Sequence, residues 1–169
     1  MKGEPAYRIV INVLSACAPV KKSVLMKVVK TALARHRIAT ANISLALVDD
    51  AEIARLNEKY LGHRGATDVL TYDYSRVPRQ GALRSRTSRI SESRDLEGEI
   101  VISAETALRE ANRREHEVTP ELALYALHGV LHLIGFDDSG AAAAARMHEE
   151  EDAILAMLGF GAIYGATSR

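Results

Sequence analysis

The chain has 169 residues, 47% of them hydrophobic and 26% charged, and its 22 basic and 22 acidic side chains cancel. A sequence of that size and balance is expected to form one globular domain with a sizeable core. It excludes a disordered polyelectrolyte and leaves no global field to announce a nucleic acid, so any such surface must come from local segregation of charge. No uncharged apolar run is long enough to cross a bilayer, and Met1-Lys2-Gly3-Glu4-Pro5 lacks the basic region and apolar run of a secretory signal. No membrane association and a cytoplasmic location are therefore expected. The lone Cys17 cannot form an internal disulfide and, lying beside alanines, reads as a small buried hydrophobe.

In chain order, 7–14 (YRIVINVL) is rich in β-branched residues and alternates, with Ile9, Ile11 and Val13 against Arg8 and Asn12, which predicts a strand. Pro19 opens a predicted helix over 20–36, where Val24, Leu25, Val28, Val29 and Leu33 form a stripe and Lys21, Lys22, Lys27 and Lys30 its solvated side. Residues 42–48 (NISLALV) read as a second strand. Asp49, Asp50 and Glu52 then supply the acidic start of a helix that runs to about Tyr60. A third strand is expected over 67–74, its Val69, Thr71 and Asp73 opposite Asp68, Leu70, Tyr72 and Tyr74.

Residues 75–96 lack hydrophobic periodicity. Arg76, Arg79, Arg84, Arg86, Arg89 and Arg94 stand there against Glu92 and Asp95, a local charge of plus four, amid serine, glycine and proline. A long flexible loop is expected, able to meet phosphates or to serve as a solvated insertion. A fourth strand follows at 98–103, and Ser103 is placed to cap a helix over 104–117. Thr119 as cap and Pro120 at the first helical position begin the next helix. The last, over 141–158, sets Met147, Ile154, Leu155 and Leu158 opposite a wet acidic face, 149–152, with His148 exposed beside it or, alternatively, in contact with a metal ligand. The sum is an α+β fold: a four-stranded mixed sheet packed with about five helices.

The chemistry concentrates in 127–138, LHGVLHLIGFDD. His128 and His132 are four apart, so on a helix they project from one face and can bind one cation together. Gly135 tolerates the left-handed conformation that ends a helix, which lets the chain swing Asp137 and Asp138 back toward the two imidazoles. Asp138 is the expected third ligand. Two histidines and a carboxylate suit zinc, one ion per chain, with a fourth position open to water. The helix is apolar nearly all round, so its imidazoles need polar partners. The metal site is thus expected on a helix and the turn after it, as part of a metal-dependent hydrolase. The spacing HxxxHxxGxxD approaches the peptidase pattern HExxHxxGxxH, but Gly129 stands where a peptidase has its general-base glutamate.

These residues resemble the YbeY family of metal-dependent endoribonucleases, whose signature HGxLHLxGYDH is matched by His128 to Asp138. Leu56-Asn57 with Tyr60, and Thr67-Asp68-Val69-Leu70-Thr71-Tyr72, are similar to the family's LNxxY and TDVLSF segments, and 98–103 to its GDIxIS strand. The resemblance spans 42–158 and includes Glu110-Ala111, Met147 and Glu151. It implies a single-strand-directed endoribonuclease acting in ribosomal RNA maturation, notably at the 3′ end of the small-subunit RNA, and in ribosome quality control. Its partners would be ribosomal RNA and the small ribosomal subunit.

The chain departs from the family pattern twice. Asp138 replaces the third metal histidine and should make the metal a weaker Lewis acid. Leu61 stands where many members carry an active-site arginine, and a leucine cannot bind phosphate. Arg64, or an arginine of 75–96, is the candidate replacement, because a guanidinium matches phosphate geometry; Arg64 as an ordinary surface residue is the alternative. Asp137 is a candidate general base by proximity, or a turn carboxylate. Two other classes stay open: a zinc metallopeptidase-like hydrolase and a non-catalytic ribosome-assembly binding protein.

Overall fold

Alternation and helical periodicity resolve into nine elements among residues 5–75 and 95–161, the part of the chain that the computed structural model describes. In order these are β1 (Ala6–Val13), α1 (Lys22–Arg35), β2 (Thr40–Val48), α2 (Asp50–Leu61), β3 (Val69–Asp73), β4 (Asp95–Ser103), α3 (Ala104–Arg113), α4 (Val118–Ile134) and α5 (Ala141–Met157). The strands form one sheet in the order β1-β2-β4-β3, with β1, β2 and β4 parallel and β3 antiparallel to β4. The expected α+β class and mixed sheet are found.

Side-chain alternation divides the core between the two faces of that sheet. On one face Ile43, Leu45 and Leu47 of β2 and Ile100 and Ile102 of β4 pack with α1, α3, α4 and α5. On the other, Ala46, Val48 and Val101 meet Ile53 of α2 and Leu70 of β3. Helix α4 is the central helix, with thirteen of its seventeen residues buried, which its nearly unbroken apolar sequence requires. No helix of the described residues is long and apolar enough to cross a membrane.

Two glycines set how closely α4 approaches β4. A Cβ on Gly129 would lie 2.6 Å from Ile100 Cγ2, and one on Gly98 would lie 2.5 Å from Leu133 Cδ2. Each glycine therefore makes room for an aliphatic side chain of the opposite element, seating the histidine-bearing end of α4 directly on the sheet.

Several local expectations shift. Helix α1 starts at Lys22, three residues beyond Pro19, without a side-chain cap. Helix α3 ends at Arg113, where Arg114 and Glu115, the latter at φ 56°, turn the chain into α4. Helix α4 is capped by the extended Glu117 rather than Thr119, so Thr119 and Pro120 both lie inside its first turn, where a missing proline N–H costs no hydrogen bond. Strand β4 begins at Asp95, because its partner β2 continues back to Thr40 and pairs with it. Of the predicted 75–96 loop, 76–94 lies outside the described residues, while Leu96 is buried in β4. Cys17 is exposed, since the link after β1 has already left the sheet, and its Sγ accepts a hydrogen bond from Ser15 Oγ at 3.2 Å.

Candidate metal centre

The last turn of α4 carries both histidines, and the helix stops where glycine predicts. Gly135 sits at φ 117°, and the N–H of Phe136 reaches back to Leu131 O at 2.9 Å, closing the helix while redirecting the chain. The reversal brings Asp138 Oδ2 to 3.7 Å from His128 Nε2 and 3.7 Å from His132 Nε2, with the two nitrogens 3.0 Å apart. These three residues form the group able to hold an ion among the described residues. The centre of a triangle with those edges lies about 2.0 Å from each corner, the length of a zinc–nitrogen or zinc–oxygen bond.

The outer ring nitrogens explain why the inner ones point together. His128 Nδ1 is 2.7 Å from Glu151 Oε1, and His132 Nδ1 is 3.1 Å from the carbonyl oxygen of Phe136. A carboxylate and a carbonyl only accept hydrogen bonds, so both imidazoles carry their proton on Nδ1 and direct an Nε2 lone pair inward. Two lone pairs 3.0 Å apart beside a carboxylate repel unless a proton or a metal ion lies between them. Burial pushes the His128 imidazole down, but the Glu151 carboxylate, with Asp68 and Asp138 behind it, outweighs burial and raises it above the ordinary histidine range. The site is built to favour positive charge.

Glu151 was expected on a wet face and is instead fully buried. It lies on the apolar stripe itself, one turn after Met147 and one before Ile154 and Leu155, all of them buried. That register, an acid in line with the stripe, was the sequence signal for a buried partner. Glu149 remains exposed, whereas Glu150 is half-buried and pairs with Arg35 at 2.5 Å and His36 at 2.9 Å. The His36 ring in turn meets Phe136 edge-on at 5.3 Å, bracing the residue whose carbonyl orients His132. His148 is half-buried and engaged, not exposed.

The remaining candidates separate from this cluster. Asp137 Oδ1 accepts the Ser139 N–H at 3.0 Å and Oδ2 the Ser139 hydroxyl, and these bonds hold its carboxyl below the usual range, as in a turn residue. Arg64 is 92% exposed and stands 3.6 Å from Glu58, its ion-pair partner among the described residues. Leu61 ends α2 and is exposed, followed by the left-handed Gly62. At Gly129 a side chain would start into Ile100 and the sheet, so this position has no space for a peptidase glutamate.

Comparison with known proteins identifies the family. The family model described as endoribonuclease YbeY matches residues 15–159. The chain is 40% identical over 139 residues to the endoribonuclease YbeY of Moorella thermoacetica, covering 81% of this chain and 86% of that one. It is 37% identical to the endoribonuclease YbeY of Desulfitobacterium hafniense, covering 70% and 73%. The solution structure of TM1509 from Thermotoga maritima matches 89% of this chain and 91% of its own, with a TM-score of 0.52 at 23% identity, a likeness of fold. The chain belongs to the endoribonuclease YbeY family.

Proposed function

We propose that this protein is a zinc-dependent endoribonuclease that cuts single-stranded RNA during ribosomal RNA maturation in the cytoplasm, notably at the 3′ end of the small-subunit RNA, and in ribosome quality control. Family membership supports the RNA substrate. The observation that carries the mechanism is the convergence of two Nε2 lone pairs and one carboxylate on a point about 2.0 Å from each.

His128, His132 and Asp138 would hold one zinc ion, which supplies Lewis-acid chemistry that polarises a phosphodiester and activates water for its hydrolysis. Glu151 and the Phe136 carbonyl keep the two rings in the tautomer that binds. Asp138, 47% exposed, is the most accessible of the three side chains, so the ion would be held where a strand of RNA can reach it. Its negative charge weakens the Lewis acid relative to a third histidine. Arg64 is the proposed phosphate contact in place of the family arginine: its loose 3.6 Å pairing and high exposure leave the guanidinium able to turn to a substrate. The chain is proposed as a single domain whose 75–96 segment offers further arginines to phosphates, with ribosomal RNA and the small subunit as partners.

Elemental analysis of purified wild type beside His132→Ala and Asp138→Ala, followed by RNA cleavage on the same samples, tests this reading. One zinc per chain is expected, lost in both variants together with cleavage; stoichiometric metal without cleavage supports a binding role in ribosome assembly instead. Well-folded wild type without metal would remove the mechanism. Arg64→Ala should lower cleavage without changing metal content.

A further inference from the structure

One turn N-terminal to His128, α4 forms the wall of a concavity of about 320 Å³ that none of the three candidate metal ligands lines. Its lining comes from three elements that the fold brings together: Thr67 and Asp68 before β3, Arg109 and Glu110 of α3 with Arg114 after it, and Leu124 and Tyr125 of α4. The cavity is at the small end of ligand sites, which span roughly 300–1,000 Å³. Tyr125 precedes His128 by three residues, so the two share a helix face about 4.5 Å apart along the axis. Asp68 lines the same cavity as Tyr125.

The charges indicate what fits. Two arginines face two carboxylates, and each arginine already has an acid of its own: Arg109 pairs with Asp50 at 2.7 Å and Arg114 with the buried Glu121 at 2.9 Å. Such a lining has no surplus positive charge for a phosphate. It offers instead guanidinium donors, the apolar surfaces of Leu124 and Tyr125, and carboxylate acceptors in Asp68 and in Glu110, whose Oε2 is held by Arg113 at 2.5 Å. A neutral, flat group with donors on one edge and acceptors on another matches that set. Among RNA bases guanine does so best, with adjacent N–H groups for a carboxylate and O6 and N7 for a guanidinium. Asp68 uses Oδ1 for Val69 N–H and the Thr67 hydroxyl, and neither bond occupies its second oxygen.

We infer that this cavity is a guanine-selective subsite, receiving a base of the RNA strand within one nucleotide's reach of the cleaved bond, with Glu110, Asp68 and Arg114 as the selecting groups. The inference rests on the endoribonuclease reading for its ligand.

Pentaribonucleotides that differ only in having G, A, C or U at one position test it, by equilibrium binding to the His132→Ala protein and by cleavage with wild type. The G-containing probe should bind at least about tenfold tighter at one register. Glu110→Gln and Arg114→Lys should each bring the four probes within about threefold by weakening the G-containing probe alone, with the other three probes and the metal content at the wild-type level, a selective loss that a merely structural role would not give. Equal binding of all four bases, no binding of any, or discrimination that survives both substitutions overturns the subsite. Cleavage without base preference removes the subsite and keeps the endoribonuclease; base-selective binding by a wild type that cleaves no RNA keeps the subsite and removes the endoribonuclease.

Discussion

Helix α4 buries a carboxylate against each end, and the two serve opposite purposes. Near its start Glu121, fully buried, is held by Arg114 at 2.9 Å with His116 Nε2 at 3.2 Å. Near its end Glu151, equally buried, is held by His128 at 2.7 Å. Both leave a second oxygen unpartnered. The difference lies in the cation. A guanidinium is always charged and has donors to spare, so the Glu121 pair ties the α3–α4 turn to the core whatever else Arg114 contacts. An imidazole has a second nitrogen, so Glu151 passes its influence through the ring to the Nε2 that faces Asp138. The first acid thus fixes where its partner lies, and the second fixes which ring nitrogen of its partner carries the proton.

Breaking the first pair should cost most in stability. Arg114→Ala strands Glu121 in the core, and because the arginine is 37% exposed the loss should be about 2.5 kcal/mol, below the full range for a broken buried pair, with metal content unchanged. Urea titration beside elemental analysis would show it; a variant that loses metal instead erases the distinction between the two ends. Glu151→Gln should do the reverse. Metal affinity should fall ten- to hundredfold, about 2 kcal/mol, as the His128 ring loses its anionic partner, while the urea midpoint moves little. Competition with a chromophoric chelator measures this.

Gly129→Ala lies between the two regions. The added Cβ meets Ile100 at 2.6 Å, an overpacking cost of about 2 kcal/mol, and the gain in helix propensity offsets about half of it. A net loss of about 1 kcal/mol with weakened metal binding is expected, whereas unchanged metal affinity would show that α4 need not sit so close to β4.

The smallest effect belongs to a carboxylate at the surface. Burial pushes Asp50 up, but hydrogen bonds from Ser103, Arg109 and Thr106, with the charge of Arg109, outweigh it and hold the carboxyl below its ordinary value. A depressed folded pKa contributes stability that is present above the unfolded value, near 4, and is lost as pH falls through the folded one. With its side chain 27% exposed and its partner Arg109 61% exposed, the contribution should be about 0.5 kcal/mol. Acid unfolding of Asp50→Asn should be less steep below about pH 4, and an unaltered profile would remove the group from the balance.

Much of this molecule is determined by sequence alone. The strands and helices follow from periods of two and 3.6, and Asp49 and Ser103 cap α2 and α3 as their chemistry requires, accepting from Glu52 N at 2.8 Å and Thr106 N at 3.0 Å. The histidine spacing and the Gly135 stop are local as well, set within eight residues of one helix end. Only the tertiary structure decided the rest, because it depends on which distant surfaces meet. Glu151 lies 23 residues beyond His128 and reaches it because α5 folds back on α4, and an acidic run that reads as solvated is split by helix register into exposed Glu149, paired Glu150 and buried Glu151. The role of Gly129 depends on Ile100, a strand away. Thr119 gave up its capping place because the extended backbone at Glu117 starts the helix two residues earlier, at Val118. The cavity beside Tyr125 joins three segments that no sequence period connects, and only packing α3 against α4 beneath the start of β3 creates it.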